Sequence, residues 1–273
     1  MNMRLVNAEF LKLRKRRGLV IAALVITVLP LLIAFTTLVV LHANNPVKNG
    51  PAGGMENFSG SMEILMLLSS VAAILVGATL GTGDVGSGVF RELVVTGRSR
   101  VALFAARVPA GVGLLLIVVG GAFAITAIGS TVFAGSEGPH TEQVGPSSWE
   151  TSLGFLAPSG MLLLKSAGWL ALSTVVAMVL ALGVASLVGS RGTSIGILLG
   201  LWIVAMPVLK ELGVLGSLRQ GVVGVAIDRL GPVPLVPSDP AVPMSLAAAV
   251  AVLLAWAAVP LAVGAWRTAT QDA

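Results

Sequence analysis

The chain has 273 residues, of which 56% are hydrophobic and only 11% charged, whereas a soluble domain of this size carries about 25% charged residues. Composition therefore excludes a soluble fold and points to an integral membrane protein, as does the mean hydropathy of +0.97. Cysteine is absent, which removes disulfides, thiol nucleophiles and cysteine metal sites. The net charge of +5 comes without the interleaved basic and aromatic residues of single-strand binders, so the reading is a membrane surface and no nucleic acid.

In chain order, residues 1–18 read M-N-M-R-L-V-N-A-E-F-L-K-L-R-K-R-R-G. Met3, Val6, Phe10 and Leu13 recur at spacings of three and four, one face of a helix. Arg4, Asn7, Lys12 and residues 14–17 decorate the rest, so the segment reads as an amphipathic helix lying in the headgroup plane. Residues 19–41 form the first span, too long for a signal peptide, with Pro30 inside it as an expected kink. Residues 42–60 are rich in Asn, Pro and Gly and read as a loop. The second span covers 61–81. A polar stretch at 82–107 follows, and the third span covers 109–133. Residues 135–159 read as a loop, 160–188 as the fourth span, 189–193 as a turn, and 194–209 as the fifth span, interrupted by Pro207. Residues 210–243 are semi-polar, 244–266 form the sixth span, and a short tail ends the chain. The expectation is one domain over residues 1–273, an all-α integral membrane protein with six transmembrane helices.

Lys and Arg in the loops set the orientation. With the N-terminus inside, twelve of the seventeen cations fall on the inner side and five outside. Both termini and the 82–107 stretch are then cytoplasmic, in a multi-pass protein of the cell membrane.

Chemistry within the spans is not expected. Glu63 and Lys165 sit near span ends, where a long side chain reaches the interface, and the spans carry almost no ionisable residue at mid-depth. Ion-coupled carriers keep such groups there. His42 and His140 stand alone at the ends of apolar runs, so no metal site is expected. No Ser-His-Asp set, paired carboxylates or H-E-x-x-H is present. Small residues cluster instead at Gly111/Gly113, Gly120/Gly121 and Gly196/Gly200, the last pair with the G-x-x-x-G spacing of close helix contacts.

The polar stretch is T-G-D-V-G-S-G-V-F-R-E-L-V-V-T-G-R-S-R-V-A-L-F-A-A-R. Gly83 and Gly88 have P-loop spacing, but Val89 and Phe90 stand where Lys and Ser/Thr belong. No cofactor and no nucleotide site of its own follow from it, and the chain is not an enzyme. Residues 85–96 form an expected short helix closed by Gly97, with Arg98 and Arg100 as a cationic corner beyond it. Such a helix suits docking into a groove on a soluble partner or, alternatively, anchoring to anionic lipid.

The basic helix with A-E-F-L-K-L, the stretch D-V-G-S-G-V-F-R-E-L-V-V-T-G-R-S-R and the ending A-W-R-T-A-T-Q-D-A together resemble the permease subunit of an ABC type-2 exporter. The layout is similar along the whole chain, the motifs over about forty residues, and Gln271 replaces the Arg usual in that ending. The resemblance implies a cytosolic ABC ATPase subunit as partner and a second permease copy, identical or related. It also implies that Glu9, Phe10 and Lys12 belong to a connecting helix, and Asp84, Gly86, Arg91, Glu92, Arg98 and Arg100 to a coupling helix between spans two and three. It further implies short re-entrant helices between spans five and six, where residues 210–230 fit. The cargo would be an amphipathic drug, peptide antibiotic or lipid-like compound. The competing readings are an ion-coupled secondary carrier and a non-transporting membrane anchor protein.

Overall fold

The computed structural model describes residues 3–46, 48–86, 99–143, 149–236 and 242–270. The chain is almost entirely helical. Helix α1 covers Met3–Lys15, α2 Arg17–Asn44, α3 Gly54–Gly86, α4 Arg100–Val132 and α5 Gly160–Val188. Helix α6, Arg191–Glu211, is followed by a 3₁₀ segment Gly213–Gly221, by α7 at Val223–Arg229 and by α8 at Leu246–Thr270. Six of these, α2 to α6 and α8, are long and apolar enough to cross a membrane. The expected short helix at 85–96 lies mostly outside the described residues.

Helix α5 has the bounds expected of the fourth span, Gly160–Val188, and the other five apolar helices are longer than the expected spans. Helix α3 starts at Gly54, seven residues before Ser61, so the loop between the first two spans is short. Gly54 holds a positive φ of 87°, which starts the helix sharply at a conformation that suits glycine. Helix α4 runs through Pro109 without a break. At about 1.5 Å per residue it is roughly 50 Å long, against a hydrocarbon core of about 30 Å, so one end stands in water. Pro30 and Pro260 are likewise carried inside α2 and α8. Pro207 behaves differently. Its ring lacks an N–H and crowds the carbonyl four residues earlier, and α6 widens into a π turn at Gly200–Ala205 just before it.

The stretch 135–159 is not a plain loop. His140–Gln143 (β1) and Trp149–Ser152 (β2) pair antiparallel, His140 opposite Ser152 and Glu142 opposite Glu150. This cap is tied to the start of α3: the Glu56 carboxylate accepts from Leu153 N at 2.8 Å and from the Ser152 hydroxyl at 3.2 Å. Helix α5 then opens on Ser159, whose hydroxyl accepts from Leu162 N. It closes on Gly189 in the left-handed conformation.

The core is the crossing of α3 and α5. Gly77 and Gly81 make it possible. A Cβ at Gly77 would lie 2.4 Å from the Met178 carbonyl oxygen, and one at Gly81 would lie 2.7 Å from the Leu182 carbonyl oxygen. Both backbones therefore meet without a side chain between them. Around this crossing Leu65, Ala73, Val76, Leu114, Leu115 and Met178 are all nearly fully buried. Several hydroxyls inside the helices are satisfied locally: Thr27 donates to Ala23 O, Thr174 to Leu170 O and Ser186 to Leu182 O, whereas the buried hydroxyls of Ser130 and Ser166 have no partner among the described residues. These backward bonds let polar side chains sit in hydrocarbon.

Candidate functional site

The long α1–α2 corner is made by one residue. Lys15 ends α1, Arg17 begins α2, and Arg16 between them leaves the helical conformation with φ −78° and ψ 69°. This folds α1 back onto α4 and α2. The buried residues of α1 are Glu9 and Leu13, while Met3 is 64% exposed. The packing stripe is therefore rotated from the expected Met3, Val6, Phe10, Leu13 face, and a carboxylate lies on it. Lys12 answers that carboxylate, with its Nζ 2.7 Å from Glu9 Oε1. Phe10 is half-buried, its ring 3.6 Å from where a Cβ on Gly113 of α4 would stand.

Glu9, Lys12, Leu13 and Arg16 share a small hollow with Thr79, Leu80 and Gly83 of α3. The Arg16 guanidinium lies 3.1 Å from the position of a Cβ on Gly83, so the absent side chain there is the seat of the arginine. The last turn of α3, holding Asp84 and Gly86, leaves directly from this seat. Across the corner, Arg100 opens α4 and donates from Nη1 to the Ala269 carbonyl at 3.3 Å, at the end of α8. The structure thus places Glu9, Phe10 and Lys12 on α1, Asp84 and Gly86 at the end of α3, and Arg100 at the start of α4. Arg91, Glu92 and Arg98 lie outside the described residues.

Two residues of this corner did not emerge from sequence reading. Arg16 was one cation among several in a basic run; only the fold shows it seated on Gly83. Arg107 ends the polar stretch in the sequence, yet it is 2% exposed within α4, its guanidinium 5.9 Å from the Phe104 ring centroid. A signal existed: Phe104, Ala110 and Gly111 are its neighbours at helical spacing, so Arg107 shares their apolar face.

A family model described as ABC-2 family transporter protein matches residues 5–185. The chain belongs to the ABC-2 transporter family. The matched region runs from α1 to the closing turns of α5, so it takes in α1, the end of α3 and the start of α4, with everything between. Of the ABC-2 chain, helices α6 to α8 lie beyond the match, and with them Ala269, the carbonyl that Arg100 holds. No curated protein matches the chain. Family membership and six apolar helices make this a multi-pass ABC-2 membrane permease.

Proposed function

We propose that this permease works as one half of an exporter, carrying an amphipathic molecule out of the cell on ATP hydrolysed by a separate cytosolic ABC subunit. A second permease copy, identical or related, completes the assembly in the cell membrane, with both termini on the cytosolic side. The observation that carries this reading is the corner itself. Within the family-matched region, α1 is folded back so that Arg16 sits on Gly83, at the root of the 82–107 stretch. A push on either the connecting helix or the stretch is then transmitted to α3, the helix at the centre of the core. Glu9, Phe10, Lys12, Asp84, Gly86, Arg91, Glu92, Arg98 and Arg100 are the residues assigned to ATPase contact. The inner-side bias of the cations supports the orientation.

The test uses inside-out vesicles containing the permease with and without its ATPase, sought in neighbouring reading frames that carry a Walker A motif. Uptake should require both the ATPase and ATP, and the purified permease alone should hydrolyse none. Uptake by the permease alone, driven by an ion gradient, would replace this reading with a secondary carrier. Orientation is checked with Ser99→Cys, since the natural chain has no cysteine. Labelling by an impermeant reagent in intact cells would reverse it.

A further inference from the structure

Between α3, α5, α6 and α7 lies a cavity of about 320 Å³, within the range of ligand pockets. It reaches from the middle of α3 and α5, where Ser70 and Ser173 face it, to the final residues of α6, where Lys210 and Glu211 form its mouth. That places the mouth at the opposite end of the bundle from Asp84 and Arg100. The lining is strongly amphipathic. Met66, Trp202 and Met206 make an apolar body, and the charged groups are confined to the mouth.

The walls are fixed. Trp169 Nε1 donates to Ile227 O at 2.8 Å, and Trp256 Nε1 donates to Gly221 O at 2.9 Å, which pins α7 and the 3₁₀ segment to α5 and α8. At the mouth, Lys210 Nζ is bound to Asp228 Oδ2 at 2.5 Å. Arg219 lies outside the lining and donates to the backbone carbonyls of Gly216 and Lys210. Glu211 is exposed and has no ion pair among the described residues. The three charged lining groups therefore sum to one unbalanced negative charge. At the floor, the Ser70 hydroxyl donates to Met66 O. Ser173 also lines the floor, and its hydroxyl makes no hydrogen bond among the described residues; unlike those of Ser130 and Ser166 it is not a buried unpartnered atom but opens to the cavity. A hydroxyl open to the cavity can donate to or accept from a polar atom of a ligand.

We infer that this cavity binds a cationic amphiphile, its apolar body among Met66, Trp202 and Met206, a polar atom on Ser173 and its cationic head at Glu211. The inference names the substrate class of the exporter proposed above and rests on that reading for its meaning, but not for its test. An anionic amphiphile of equal shape would bring its charge against Glu211 and Asp228 and is disfavoured.

The experiment measures tryptophan-sensitised dansyl emission from purified permease in nanodiscs, corrected for protein-free discs. Two probes of the same body are compared, dansylamidopropyl-trimethylammonium and dansylamidopropyl-sulfonate. The cation should saturate and bind about tenfold more tightly than the anion. Glu211→Gln, an exposed change that leaves the core alone, should weaken the cation by about fivefold, the usual upper range for one exposed charge pair, and narrow the gap between probes. Ser173→Leu fills the floor and should abolish saturation by both. Equal binding of the two probes, no saturation by the wild type, or an unchanged Glu211→Gln variant would overturn the inference. Saturable cation binding without ATP-dependent uptake in vesicles would leave the cavity standing and remove the exporter. Uptake without cation preference in the binding assay would do the reverse.

Discussion

Two stretches of this chain have the same glycine spacing and opposite fates. Gly77 and Gly81 on α3, and Gly196 and Gly200 on α6, both stand four residues apart in apolar helices. On α3 the pair is the contact surface with α5, so tight that a Cβ has no room. On α6, among the described residues and beyond the helix's own backbone, nothing lies within 4 Å of where a Cβ would stand at either position. The environment differs in the same sense: 67% of the most apolar window of α3 and of α5 is buried inside the chain, but only 17% of that of α6 and 11% of that of α8. Spacing gives a helix the option of close approach, and the neighbour across from it decides whether the option is used. The molecule is accordingly a tightly packed α3–α5 spine, with α8 meeting α5 closely at Gly183 on one face only and α6 laid on the outside. The π turn before Pro207 falls in the loosely held part, where a locally widened helix displaces few neighbours.

The comparison can be broken most forcefully at its centre. Gly81→Leu drives four carbons into the Leu182 carbonyl and Ser186 amide, and overpacking of a tight site costs about 3 kcal/mol or more. The folded yield and the melting temperature in detergent should both fall sharply; an unshifted Tm would contradict the spine. Arg107→Ala comes next. Removing a nearly fully buried arginine from α4 leaves a void and whatever it balances, an effect of about 3 kcal/mol, again read as Tm. Glu9→Ala should be milder, about 1 kcal/mol, because Lys12 is 40% exposed and stays solvated, although the buried Glu9 side chain also loses its packing. Gly196→Ala should lie within about 0.5 kcal/mol of wild type. A loss as large as that of Gly81→Leu would show that the two stretches are equivalent after all.

How much of this was readable in the sequence follows the range of the forces involved. The six spans were readable because a hydrocarbon solvent acts on each helix separately, through composition and length. Helix limits were less readable. The start of α3 at Gly54 is held by backbone bonds from Met55 N to Leu156 O and from Glu56 N to Gly154 O, about a hundred residues away, and no local periodicity reports these. The β1–β2 hairpin was missed for a related reason: two strands of four residues carry little pattern of their own. The geometry of the corner proposed for coupling was half readable. Glu9, Phe10, Lys12, Asp84, Gly86 and Arg100 could be picked out by a resemblance in order and motif. Arg16 on Gly83, and Arg107 inside α4, depend on which helix folds back on which, and that is decided by packing.

The central claim is that the 82–107 stretch docks on an ATPase with defined geometry, rather than holding anionic lipid by charge alone. Recovery of the ATPase on the tagged permease, at equal membrane expression, tests it most directly for wild type, Glu92→Ala and Arg98→Lys. Lipid anchoring is a sum of point charges worth about 1 kcal/mol each, so it tolerates Lys for Arg and is indifferent to the loss of Glu92. A docked interface uses the planar fork of Arg and a partner for Glu92, and breaking either side of such a pair costs about 2–5 kcal/mol. The account predicts that both variants insert normally and lose most of the ATPase in the pull-down, with transport falling in step. Full recovery of the ATPase and full transport in both variants would contradict it.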